Sequence, residues 1–135
     1  MEWVLDTSVT LTWCFEDERT DATEALLDRL ATSPAVVPQN WPLEVANILT
    51  LAVRRGRLSV ARREEFIASL NGLPIHIDPS TGARAMNEVM SLADTHRLTA
   101  YDAAYLELVL RLGVPLATLD EDLRTAARAA GVQLL

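Results

Sequence analysis

The stretch Leu112-Gly113-Val114-Pro115-Leu116-Ala117-Thr118-Leu119-Asp120 decides how this chain folds. A helical pattern over Ala100–Leu112 ends at the glycine, and a buried-strand pattern over Pro115–Leu119 follows after a two-residue connection. A connection this short forces the helix to run antiparallel to the strand, so the helix begins at the strand's carboxyl edge. Asp102, in the first turn of the helix, and Asp120, just after the strand, are therefore predicted to lie at the same edge.

Short apolar runs with strand character recur along the chain, separated by segments with helical periodicity. This alternation predicts one domain over residues 1–135, an α/β/α sandwich around a mainly parallel sheet of four to five strands. The strands are predicted at Trp3–Leu5, Ala35–Val37, Ile75–Ile77, Pro115–Leu119 and Val132–Leu135. The helices are predicted over Val9–Phe15, Asp21–Leu30, Leu43–Arg55, Ser59–Leu70, Ser80–His96, Ala100–Leu112 and Asp120–Ala130, with Asp21 and Glu24 spaced as a capping box.

Two further carboxylates fall at the same edge of the predicted sheet. Asp6 directly follows the first strand, and Glu44 lies in the first turn of the helix after the second strand. Ligands of open α/β sheets bind beyond the carboxyl ends of the strands. Each acid also has an ordinary structural role, in a turn, at a helix dipole or as a cap. Together, however, four carboxylates at one edge repel one another unless a cation compensates, and oxygen ligands suit Mg²⁺ or Mn²⁺.

Composition narrows the possible chemistry. The net charge is −7, and all twelve basic residues are arginines. The absence of lysine excludes a Walker loop and Schiff-base catalysis, and argues against a phosphoacceptor receiver domain. One cysteine, Cys14, and two histidines make a zinc site unfavourable. The lone cysteine fits a reducing cytoplasm, and the chain has neither a signal-like N-terminus nor an apolar run long enough for a membrane.

Four segments, taken in order, resemble those of PIN-domain ribonucleases, and their size and order match the VapC-type toxins of bacterial toxin–antitoxin pairs. The resemblance extends over essentially the whole chain and depends on the ordered set rather than on one motif. The segments are Val4–Ser8, Pro42–Asn47, Thr99–Tyr105 and Ala117–Leu123.

The resemblance implies an Mg²⁺- or Mn²⁺-dependent endoribonuclease that hydrolyses RNA phosphodiester bonds, is held inactive by a cognate antitoxin and forms a homodimer. It implies that the same four acids form the catalytic metal site, with Glu44 as a candidate for orienting or deprotonating the attacking water. Two hydroxyl residues match supporting positions, and the role of Asp122 is left open. The implied catalytic and metal-binding residues are Asp6, Glu44, Asp102 and Asp120, and the supporting residues are Ser8 and Thr118.

The residues leave two other functions open besides the nuclease. The first is a catalytically inactive PIN-like module that binds only a metal or a partner. The second is an aspartate-nucleophile phosphatase. That class requires a second acid two residues after the nucleophile, and two residues after Asp6 this chain has Ser8.

Two surface features have structural and functional interpretations. The arginines between Arg54 and Arg63 form either a solvated surface or a contact for RNA or an acidic antitoxin segment. Trp13, Cys14 and Phe15 are predicted to pack in the core, or else to line a groove for an antitoxin helix.

Overall fold

Four parallel strands form the central sheet of the computed structural model, which describes residues 1–135. They are β1 (Trp3–Leu5), β2 (Ala35–Val37), β3 (Ile75–Ile77) and β4 (Leu116–Ala117), in the spatial order β3-β2-β1-β4. Val4 of β1 is paired with Val36 on one side and with Leu116 on the other. Strands β1 and β2 are buried along their whole length, as expected for a parallel sheet covered by helices on both faces.

The predicted fifth strand at the C-terminus is only an isolated bridge. Leu116 is paired with Leu134 in parallel, through hydrogen bonds from Leu116 N to Gln133 O (2.9 Å) and from Leu135 N to Leu116 O (2.9 Å). Because β4 itself has just two residues, it offers no further backbone groups along which the ladder could extend. The predicted α/β class with a parallel sheet is otherwise confirmed.

Eight α-helices surround the sheet, and several begin and end where sequence signals place them. Ser59 and Thr99 accept hydrogen bonds from the third backbone N–H of their helices, as predicted, and Gly113 (φ +68°) ends the helix that carries Asp102. The helices are α1 (Thr7–Thr10), α2 (Asp21–Arg29), α3 (Trp41–Arg54), α4 (Val60–Asn71), α5 (Thr81–Arg84), α6 (Met90–His96), α7 (Ala100–Leu112) and α8 (Glu121–Ala129).

Three local predictions differ from the structure. The capping box of α2 is formed by Thr20 and Thr23 rather than by Asp21 and Glu24, because threonine hydroxyls close it one residue earlier. The predicted helix over Ser80–His96 is broken into α5, a π turn at Ala85–Val89 and α6, with non-helical angles at Met86. The Val9–Phe15 segment is split between the end of α1 and a 3₁₀ turn at Leu11–Trp13.

The hydrophobic core is centred on β1 and α7. Trp3 and Tyr105 are the largest side chains with no exposed surface, and seven consecutive residues of α7, Ala103–Val109, are buried. Helix α7 packs against β1, α6 and α8, and its Tyr105 hydroxyl lies 2.9 Å from Thr7 Oγ1, just beyond the carboxyl end of β1. No helix combines the length and the apolar character that crossing a membrane requires.

Candidate active site

Asp6 lies at the end of β1 with only 5% of its surface exposed, and two hydroxyl groups hold it. Ser8 Oγ donates to Asp6 Oδ2 at 2.6 Å, and Thr118 Oγ1 donates to the same oxygen at 2.7 Å. Both hydroxyls therefore act on Oδ2, and no side chain donates to Oδ1. Ser8 and Thr118 lie where the sequence analysis placed them, beside the first acid.

The same hydroxyls also fix the loop that carries Asp120. Ser8 Oγ accepts from Leu119 N at 2.9 Å, and Thr118 Oγ1 accepts from Asp120 N at 3.1 Å. Asp120 in turn caps α8, since its Oδ1 accepts from Leu123 N at 2.8 Å. The predicted capping role of Asp120 is thus confirmed, and its second carboxylate oxygen makes no hydrogen bond within the protein.

Glu44 is held by three donors from three separate elements. Thr7 Oγ1 (2.9 Å) and the Tyr105 hydroxyl (2.6 Å) both donate to Oε1, and Asn40 Nδ2 donates to Oε2 at 3.0 Å. Asn40 Nδ2 also lies 3.3 Å from Tyr101 O and so links the start of α3 to the start of α7. The carboxylate of Glu44 is therefore oriented by β1–α1, α3 and α7 together.

Sequence reasoning missed all three of these partners. Tyr105 lies three residues after Asp102 on the same helix, so the i, i+3 spacing could have placed its hydroxyl near the site. Asn40 lies four residues before Glu44, which is a similar signal. Thr7 is adjacent to Asp6, but nothing in the sequence indicates that it would reach Glu44.

Asp102 differs from the other three acids because no hydrogen bond reaches its carboxylate. Partial burial, together with the nearby negative charges of Asp120, Asp6, Glu44 and Asp122, raises its pKa to about 6. Burial likewise raises the pKa of Asp6, which the hydroxyls of Ser8 and Thr118 partly offset and the charge of Glu44 reinforces. The predicted acids thus share one electrostatic field at the carboxyl edge. Asp122 contributes to this field from an exposed position in the first turn of α8.

Burial, together with the charges of Asp6 and Glu44, also raises the pKa of Tyr105. The phenol is therefore kept neutral, as a hydrogen-bond donor to Glu44.

The donor set has the chemistry that a hard divalent cation prefers. All four candidates are carboxylates, and none of them forms an ion pair with an arginine. Nowhere in the chain, however, do three His, Cys, Asp or Glu side chains already stand close enough together to hold an ion. The acids fit a metal by type and by unneutralised charge, and Asp102, whose carboxylate makes no hydrogen bond, is the one most free to move toward an ion. Their roles as ligands stay a prediction.

The remaining sequence candidates are mainly structural. Trp13, Cys14 and Phe15 are all buried, which confirms their predicted place in the core. Burial raises the pKa of the Cys14 thiol, which suits an unreactive core residue. Arg57 pairs with Asp17 and Glu18 and lies 3.8 Å above the ring of Phe15, so this arginine is satisfied within the protein.

Comparison with known proteins agrees with this architecture. The model of the PIN domain family matches residues 3–129 of the chain. No curated protein sequence matches it at a significant level.

Three solved structures are similar in fold. PAE2754 from Pyrobaculum aerophilum has 21% sequence identity and a TM-score of 0.72, over 99% of this chain and 83% of that one. VapBC2 from Rickettsia felis, bound to a DNA fragment from their promoter, has 13% sequence identity and a TM-score of 0.67, and the match covers 100% of this chain and 98% of that one. FitAcB from Neisseria gonorrhoeae has 20% sequence identity and a TM-score of 0.62, and the match covers 100% of this chain and 96% of that one. At these identities the likeness concerns the fold alone.

Proposed function

Because this chain belongs to the PIN domain family, we propose that it is a divalent-metal-dependent endoribonuclease and the toxin of a VapBC-type toxin–antitoxin pair. The observation that carries the proposal is the set of four carboxylates at the carboxyl edge of the sheet, which no cation of the protein neutralises. PIN domains are generally nucleases, and two of the similar folds, VapBC2 and FitAcB, are toxin–antitoxin proteins. The ordered set of Asp6, Glu44, Asp102 and Asp120 is intact in this chain.

In this proposal Asp6, Asp102 and Asp120, with Glu44, hold Mg²⁺ or Mn²⁺. The ion supplies Lewis acidity toward the scissile phosphate when it is bound. The residues of the chain provide the rest of the site. Ser8 and Thr118 fix the orientation of Asp6, and Thr7, Tyr105 and Asn40 fix Glu44 as the group that orients or deprotonates the attacking water. The substrate is RNA, whose phosphates the bound cation would attract to an otherwise acidic edge.

We assign the antitoxin to the groove between α2 and α4. A cavity of about 340 Å³ opens there, and its polar groups include Arg19, Arg62 and Glu65. An amphipathic helix suits such a groove, with apolar anchors in the cavity and acidic residues toward the arginines. The apolar lining is Trp13, Cys14, Leu27, Phe66, Leu70 and Leu73. We further propose that the toxin acts as a cytoplasmic homodimer.

Cleavage assays test the nuclease directly. Purified protein is incubated with single-stranded RNA and with DNA of the same sequence, in Mg²⁺, in Mn²⁺ or in EDTA, beside a simple phosphate ester. We expect endonucleolytic cleavage of RNA in either metal and none in EDTA. Hydrolysis of the phosphate ester alone would instead indicate the phosphatase, and Mn²⁺ binding without any cleavage would indicate the inactive binding module.

A matched pair of variants tests the site. Asp6→Asn removes one charge from the acidic edge and should abolish cleavage while leaving the thermal unfolding midpoint near that of the wild type. Asp94→Asn makes the same change on an exposed position of α6 and should leave activity unchanged. Full activity in Asp6→Asn would remove Asp6 from the site.

The partner and the assembly state have their own tests. The product of a small gene next to this one should form a complex with the protein and inhibit cleavage, and Phe66→Glu at a partly exposed position of the groove should weaken that complex. Light scattering of the free protein should give twice the monomer mass of 14.9 kDa. A monomer at micromolar concentration would contradict the homodimer.

A further inference from the structure

A second cavity, of about 580 Å³, lies between α2 and α8 on the flank of the acidic edge. It adjoins the candidate active site through Thr118, which lines this cavity and whose hydroxyl donates to Asp6. Its size falls in the range of small-ligand sites. The apolar part of its lining is Val9, Ala22, Ala25, Leu26, Leu119 and Leu135.

Two arginines with unused hydrogen-bonding capacity line this cavity. Arg29, in the last turn of α2, makes no side-chain hydrogen bond, and its Nε is shielded from solvent without a partner. Arg124 makes a single one, from Nη1 to Thr118 O at 2.9 Å. A guanidinium has five N–H donors, so most of the donors of Arg29 and Arg124 make no hydrogen bond within the protein. A shielded donor without a partner within the protein is uncommon in folded proteins.

The charge of this cavity contrasts with the rest of the molecule. Neither Arg29 nor Arg124 has a carboxylate within 4.0 Å, whereas six of the twelve arginines form ion pairs. Glu121 is the one acidic side chain of the lining, against two arginine side chains. In a chain with a net charge of −7, this is an electropositive recess beside an acidic edge.

We propose that this cavity is a nucleotide subsite, which binds the phosphate and the base next to the scissile bond of a single-stranded RNA. The inference depends on the proposed function, because the acidic edge fixes where the cleaved phosphate lies. The guanidiniums of Arg29 and Arg124 hold the neighbouring phosphate, as arginine does with planar bidentate geometry. The apolar side chains of Leu26 and Leu119 contact the base; Leu119 is half-exposed and directly precedes Asp120 in the chain.

Binding of a short, fluorescein-labelled single-stranded RNA tests the subsite. Fluorescence anisotropy is measured in the Asp6→Asn background, so that the RNA stays intact, over a range of salt concentrations. Arg29→Gln and Arg124→Gln should each weaken binding about tenfold, because each removes a charge-assisted phosphate contact. Each should also lower the slope of log K against log salt by about 0.7, the value for one phosphate contact on a single strand.

Two sets of variants serve as controls. Arg128→Gln changes the same charge on an exposed position of α8 outside the cavity and should leave both the affinity and the slope close to their original values. Arg29→Lys and Arg124→Lys keep the charge, so they should keep the salt slope even where the affinity falls. An unchanged salt slope in the lysine variants would show that the protein is still folded and that only the guanidinium contact is lost.

The outcomes are distinct. The subsite is refuted if the cavity variants weaken RNA binding no more than Arg128→Gln does, or if they impair only binding of the antitoxin. If the wild-type protein fails to cleave RNA but the two cavity arginines still govern RNA binding and its salt slope, the nuclease proposal fails and the subsite stands. If RNA is cleaved normally by both cavity variants with unchanged binding, the nuclease stands and the subsite fails.

Discussion

Thr118 Oγ1 donates to Asp6 Oδ2 at 2.7 Å, and this bond joins two residues that are 112 positions apart in the sequence. The same oxygen accepts from Asp120 N at 3.1 Å, so one hydroxyl aligns two acids of the candidate site. The hydroxyl can do both because it is a donor and an acceptor at once. Thr118 is therefore a positioning residue between β1 and the start of α8.

Thr118→Val should lower the rate of RNA cleavage about 10- to 100-fold, the usual cost of losing a partner that orients a metal ligand. Valine keeps the shape of threonine but can neither donate to Asp6 nor accept from Asp120 N. The Mg²⁺ concentration needed for half-maximal activity should rise as well. Thr125→Val on the exposed side of α8 is the control. Equal activity in the two variants would show that Asp6 needs no orientation by Thr118.

Tyr105→Phe should lower both activity and stability. The phenol donates to Glu44 Oε1 at 2.6 Å from inside the core, so its loss removes one of three bonds that orient the carboxylate. We expect a decrease of about 1 kcal/mol in the free energy of unfolding. Tyr101→Phe is the matched control, because the Tyr101 side chain is 65% exposed and its hydroxyl makes no hydrogen bond. Urea unfolding and cleavage kinetics are measured for both variants. Equal stability and activity in the two would contradict the role of the Tyr105 hydroxyl.

Substitution of Asp120 should separate its capping role from its role in the site. Asparagine is as good an N-cap as aspartate, so Asp120→Asn should keep the stability of the wild type. Asp120→Ala should lower the free energy of unfolding by about 1 kcal/mol. Cleavage should fall strongly in both variants, because both lack the charge. If Asp120→Asn retained full activity, Asp120 would be a helix cap and nothing more. Thermal unfolding and cleavage are measured on the same samples.

Arg111→Met should destabilise the fold by about 3 kcal/mol at neutral pH, since it leaves buried charge without a partner. Arg111 donates to both oxygens of Asp78 (3.2 and 2.7 Å) and to both oxygens of Glu107 (2.9 and 3.1 Å), and Glu107 is only 5% exposed. Arg84→Met is the control, because the pair of Arg84 and Glu88 is long (3.7 Å) and largely exposed. Chemical unfolding measures both variants.

The cost of Arg111→Met should shrink in acid. The hydrogen bond from Arg111 holds the pKa of Asp78 below its usual value, so this pairing stabilises the fold above about pH 4 and is lost as the pH falls below that. The wild type should therefore lose more stability than the variant between neutral pH and pH 3. Parallel pH profiles of the two proteins would contradict a contribution from Asp78.

Local sequence signals predicted the edge of the sheet correctly but not every local element. The caps at Ser59, Thr99 and Asp120 formed because a side-chain oxygen next to free backbone N–H groups satisfies them without help from the rest of the fold. The break at Met86 was not predictable, because the Ser80–His96 segment has helical periodicity throughout and contains no proline to mark a kink. The bridge at Leu134 fell short of a strand because the partner strand is so short.

The sequence by itself determined where the acids lie. Three of them follow a strand or open the helix after one, and Asp102 opens the helix that leads into β4. In a parallel sheet all of these points lie at one edge. Only the tertiary structure decided what holds them and what surrounds them. Tyr105 and Thr7 reach Glu44 across 61 and 37 residues of chain, and Arg29 and Arg124 meet in one cavity from two helices. Periodicity tells which face of an element is buried, but contacts between distant elements depend on how those faces pack, and no local pattern encodes that packing.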